Sequence, residues 1–83
     1  MITNEEYLVQ KYAEARERMN IYNGSGNTDV IGANYWRGAM DTYLNLLYAA
    51  FPEWDFAIPN TTGYYVFMKG MTYDEALNQI TVS

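Results

Sequence analysis

Glu53 and Asp55 stand two residues apart with Trp54 between them, so in an extended segment both carboxylates would project from one side. A pair of that kind is what acid–base chemistry on a glycosidic bond requires. Two acids in a connecting segment are more often a solvated turn, and the rest of the composition favours that reading. The 83 residues include no histidine and no cysteine, which removes the commonest acids, bases, nucleophiles and metal ligands. No catalytic, cofactor-binding or metal-binding residue is therefore assigned. A domain of this length is also expected to have difficulty enclosing a pocket of ~300 Å³, which weighs further against an enzyme.

Other constellations are weaker still. The run Asn23-Gly24-Ser25-Gly26-Asn27-Thr28-Asp29 offers alternating oxygens, yet it lacks the glycine after the third ligand and has Asn34 where a calcium loop places its bidentate Glu. No Walker lysine or GxGxxG pattern makes the same glycines a phosphate cradle. Arg37 follows Tyr35 and Trp36, as in a single-strand nucleic-acid platform. One arginine does not make a groove, and pairing with Asp41 one helical turn later is the simpler expectation.

What remains is contact surface. Nine tyrosines, three phenylalanines and two tryptophans fill the chain, and a tyrosine presents a large, stiff, half-apolar surface with a hydroxyl at its tip. Tyr12, Tyr22, Tyr35 and Tyr43 fall on apolar helical faces and are expected in the core. Tyr7, Tyr48, Tyr64 and Tyr65 are less well explained by core packing. Tyr48, Tyr64 and Tyr65 together with Glu53, Trp54 and Asp55 form the candidate partner-binding patch, aromatic and acidic.

These residues must be positioned by a few elements. Thr3-Asn4-Glu5-Glu6 reads as a capping box, with Ile2 and Tyr7 as a hydrophobic staple, opening a first helix that ends near Tyr22. Leu8, Tyr12, Ala15, Met19 and Tyr22 gather on a narrow seam of it, and Glu14 and Arg18 are spaced for an ion pair on its wet side. A second helix, capped by Thr28 or Asp29, runs to about Ala50, because Pro52 forbids continuation. Its apolar residues, among them Tyr35, Trp36, Met40, Leu46 and Leu47, cover about half the circumference, which predicts a central helix enclosed on several sides. Gly38 on its border suggests close approach of a neighbour.

Phe51 to Asn60 reads as an extended aromatic connection between two prolines. Tyr64 to Lys69 fits either a helical turn or one arm of a hairpin with Trp54 to Ile58, and the helix is preferred because a lone hairpin is marginal in water. Met71 to Ala76 repeats the opening signature, with Thr72 as cap and Glu75 returning the bond, and starts a short helix buried through Tyr73, Ala76, Leu77 and Ile80.

The fold expected is all-α, a single domain over residues 1–83 with three to four helices around a central apolar helix; the alternative is α+β with a C-terminal two-stranded hairpin. Such a chain buries only about 60–65% of its unfolded surface. With disulfides and zinc excluded by composition, dense aromatic packing or a homodimer must supply stability. No uncharged run approaches the ~20 residues that span a bilayer, and Glu5 and Glu6 stand where a secretory leader would be basic then apolar. A cytoplasmic location is expected, with no membrane contact.

The net charge is −5, which disfavours direct nucleic-acid binding. Residues 38–83 hold Lys69 alone against Asp41, Glu53, Asp55, Asp74 and Glu75, so one end of the folded object should be negative. The function expected is that of a small acidic non-enzymatic inhibitor or adaptor that binds another protein. Its profile resembles that of phage proteins that block host nucleic-acid-handling (defence) machinery, where the partner would offer a basic nucleic-acid-binding groove. A structural component that forms a homo-oligomer is the alternative.

Overall fold

Apolar residues recurring every three to four positions produce two long helices, α1 over Asn4–Gly24 and α2 over Val30–Ala50. The computed structural model describes residues 4–24 and 30–80. α1 and α2 lie side by side over much of their length as a helical hairpin. A π-helix follows over Tyr64–Met68, and the short helix α3 over Tyr73–Gln79 completes the chain. The class is all-α, and among the described residues there is no strand, so the hairpin alternative falls. Among the described residues no helix is long and apolar enough to cross a membrane. The expected caps of the two long helices, at Thr3 and at Thr28 or Asp29, lie outside the described residues, as does most of the glycine-rich run.

α1 does more than the narrow seam suggests. Val9, Ala13 and Ala15 are fully buried along it, and Val9 and Ala13 join Leu47 from α2, Val66 from the π-helix and Tyr73 and Ala76 from α3 in one core. α1 is thus the element that meets both α2 and α3. Leu47 is fully buried and Trp36 and Met40 are half-buried, as the wheel of α2 requires. Its enclosed arc is narrower than half a turn, however: Tyr35 is 66% exposed and Leu46 46%. The cause is length. The C-terminal elements cover one end of the hairpin, and Tyr22, Tyr35 and Ile31 at the other end have a single neighbouring helix, so two tyrosines expected in the core are exposed.

Gly38 also corrects its expectation. A Cβ built there would meet nothing within 4 Å, so no neighbour approaches it. Arg18, expected to pair with Glu14, lies over the Trp36 ring with its guanidinium 5.2 Å from the centroid.

α3 is built as its sequence dictates. Thr72 Oγ1 accepts from the Glu75 amide and Glu75 Oε1 accepts from the Thr72 amide, both at 3.1 Å. Tyr73 and Ala76 are buried and Ile80 half-buried, whereas Leu77 is 48% exposed, since seven residues give too few turns to hide a wider face.

The π-helix explains how a bulky run can sit on α1. More residues per turn means a smaller angle between successive side chains. Tyr65, Val66 and Phe67 therefore all reach the core from consecutive positions. The turn ends at Gly70, whose φ of +71° suits glycine, and the Met71 amide closes it by donating to the Tyr65 carbonyl at 3.0 Å. Arg16, one turn beyond Ala13 on α1, spans the junction. Its Nη1 donates to the Val66 carbonyl at 2.7 Å and its Nη2 to the Met71 carbonyl at 2.5 Å.

Aromatic rings take the place of covalent staples. Phe67 stacks on Tyr12 at 4.2 Å and receives Trp54 edge-on at 5.3 Å; Trp54 meets Tyr48 at 5.6 Å and Phe56 at 5.7 Å. Each such pair contributes about 0.5–1.5 kcal/mol beyond its burial.

Candidate functional site: an acidic cleft around Trp54

The segment after α2 is not extended. Pro52 with its fixed φ follows Phe51, and the Trp54 amide donates to the Phe51 carbonyl at 2.9 Å, closing a β-turn. Asp55 then accepts from the Ala57 amide at 2.8 Å through Oδ1, a local turn of the kind aspartate favours. Thr61 Oγ1 donates to the Ile58 carbonyl at 2.8 Å and accepts from the Tyr64 amide at 3.1 Å, which launches the last helical turns. Successive turns fold the connection back over the start of α1.

A cleft of about 610 Å³ opens between the two. Glu5 and Glu6 from the first turn of α1 line it together with Glu53 and Asp55 from the connection. Phe51, Pro52 and Trp54 supply its apolar lining, with Gly63 at the indole. The approach is close: a Cβ there would lie 3.1 Å from Trp54 Cζ2, so the indole would have to give by a few tenths of an ångström. No lysine or arginine lines the cleft. The volume exceeds what the chain length suggested, and lies in the range of clefts that hold ligands.

Glu6 has a structural task beneath the cleft. Its Oε2 accepts from Thr62 Oγ1 at 2.5 Å and from Tyr73 Oη at 2.9 Å. Thr62 is 2% exposed and Tyr73 7%, so the carboxylate satisfies two buried hydroxyls that would otherwise be costly. Burial, the hydrogen bond to Glu6 and repulsion by its charge push the Tyr73 hydroxyl up to about 12.

Of the six residues predicted to bind a partner, Glu53, Trp54 and Asp55 line the cleft, and Tyr48 stands edge-on behind the Trp54 ring. Tyr64 and Tyr65 do not join them. They pack edge-to-face on each other at 5.3 Å, both half-buried; Tyr65 leans on the core and Tyr64 lies under the Lys69 ammonium. The sequence reading missed Glu5 and Glu6 as cleft residues because their spacing after Thr3 already had a capping explanation. It missed Arg16 too, although a cation at i+7 from Val9 and i+3 from Ala13, on a buried face, is a readable signal.

Catalytically the cleft offers carboxylates and little else. Asp55 is engaged by its own turn, and among the described residues no group of three or more acids or other ligands could hold a metal ion. A second, smaller hollow of about 250 Å³ lies between α1 and α2, where Lys11 and Arg18 face Trp36 and Tyr43. No protein-family model matches this chain, and no curated protein or solved structure does either.

Proposed function

We propose that this chain is a cytoplasmic, non-enzymatic binding protein, an inhibitor or adaptor, that receives a basic surface of another protein in its acidic cleft. One observation carries the reading: acidic residues from α1 and from the connection line one cleft together with an indole, and among the described residues no lysine or arginine lines it. An interface of that make-up has the aromatic anchor and the electrostatic bias that give both affinity and partner choice. The same charge repels the phosphate backbone, so a nucleic-acid-handling partner would be met through its basic groove rather than through its nucleic acid. Capture of partners from a lysate by the wild-type chain and by the Glu53→Lys/Asp55→Lys variant tests this. Recovery of a partner that the variant loses supports the proposal. Recovery of none, or equal recovery by both, contradicts it.

Assembly into a homo-oligomer is a second reading, favoured by a different surface. Ile31, Tyr35 and Ile21 are 84%, 66% and 64% exposed, all near the end of the hairpin away from the cleft. Sedimentation across a wide concentration range separates the two. A tight oligomer favours assembly, and a monomer favours the binder.

A further inference from the structure

We infer that the group the cleft takes from its partner is an arginine side chain, stacked on Trp54 between the carboxylates of Glu53 and Glu5. The inference rests on the proposed binding role and specifies its chemistry. Two features of the chain lead to it.

The first is how this protein already treats its aromatic rings. Arg18 lies over Trp36 at 5.2 Å, Arg16 over Tyr12 at 5.8 Å, Lys11 over Tyr7 at 5.6 Å and Lys69 over Tyr64 at 5.7 Å. Trp54 differs. Among the described residues no cation lies over it, although it has the ring type that attracts cations most strongly. Glu5, Glu6, Glu53 and Asp55 share the cleft with it, and among the described residues no cation pairs with Glu5 or Glu53. Among the described residues no cation offsets this charge over the indole, and a visiting cation would.

The second is shape. Acidic residues reach the cleft from two elements, Glu5 and Glu6 from α1 and Glu53 and Asp55 from the connection, and the indole lines it with them. A planar guanidinium presents a face to the ring and donors along its edges to acids of both elements. An ammonium is a compact, strongly hydrated point charge and cannot do both at once. The cleft volume of about 610 Å³ exceeds one side chain, so the arginine arrives in a short peptide segment whose neighbours rest on Phe51 and Pro52.

The test uses the folded chain and three capped tripeptides, Gly-Arg-Gly, Gly-Lys-Gly and Gly-citrulline-Gly, with the indole N–H resonances of Trp54 and Trp36 followed by NMR. The result expected is a saturable shift of Trp54 with the arginine peptide, several-fold weaker with lysine and absent with citrulline. It should weaken with added salt and be lost in Glu53→Gln/Asp55→Asn, where the asparagine can still accept the Ala57 amide. Equal response to citrulline, a shift confined to Trp36, or no saturable shift overturns the inference. If capture of the partner remains sensitive to Glu53→Lys/Asp55→Lys while the arginine peptide is silent, the arginine assignment alone fails. Capture that ignores the charge reversal removes the binding role itself.

Discussion

Tyr73, the first residue of α3, donates its hydroxyl to Glu6 Oε2 in the first turns of α1 at 2.9 Å, across 67 positions of sequence. The bond ties the last helix to the first directly below the cleft wall. Glu6→Ala leaves the buried hydroxyls of Thr62 and Tyr73 without this acceptor and should cost about 1–3 kcal/mol, read by chemical denaturation. It should also bring the Tyr73 hydroxyl down from about 12 towards its ordinary value, read by tyrosinate absorbance.

The same contact fixes a pH dependence. Below about pH 10 tyrosine is protonated in both the folded and the unfolded chain, and the Glu6–Tyr73 contribution is intact. Above that, the unfolded chain releases the proton while the folded one holds it to about 12. The folded state then binds more protons, so stability falls as pH rises through this window. Tyr73→Phe should flatten that part of the stability–pH curve.

Arg16 is the second long-range tie. Its planar fork holds two carbonyls on either side of Gly70, at Val66 and Met71. Hydrogen bonds from a charged donor contribute about 1.5–3 kcal/mol each, and a lysine reaches one carbonyl but not both. Arg16→Lys should therefore lose part of this stability and Arg16→Ala most of it. Amide exchange should rise first at Val66 to Met71, where the bond lies.

Two glycines should respond with opposite sign. Gly38 sits mid-helix with nothing near a Cβ, so Gly38→Ala should stabilise by up to about 1 kcal/mol. Gly70 holds φ at +71°, and Gly70→Ala should destabilise by about 1–2 kcal/mol, although space is open around it. Thermal melts of the two variants beside the wild type give both signs.

Local signals were legible where the chemistry was local. The Thr72–Glu75 box, the end of α2 before Pro52 and the helical class all follow from neighbours in sequence. The wheel of α2 correctly marked Leu47 for burial but overstated the enclosed arc at Tyr35 and Leu46, because periodicity says which side is apolar and not how far other elements extend along it. The site was half legible: Glu53, Trp54 and Asp55 cluster by adjacency. Glu5 and Glu6 reach them only through the fold-back of residues 51–61, which no periodicity encodes. The place of Arg16 on a buried face was readable, but its partners, like that of Thr62, lie 50 or more positions away and were opaque for the same reason.

The cleft around Trp54 is the surface proposed to meet a basic partner. Zero-length carbodiimide coupling of the captured complex, followed by mass spectrometry, joins carboxylates of this chain to lysines of the partner. Links at Glu5, Glu53 or Asp55 are predicted. Links found only at Glu17, Asp41 or Asp74, with the cleft carboxylates unmodified by the partner, would contradict it.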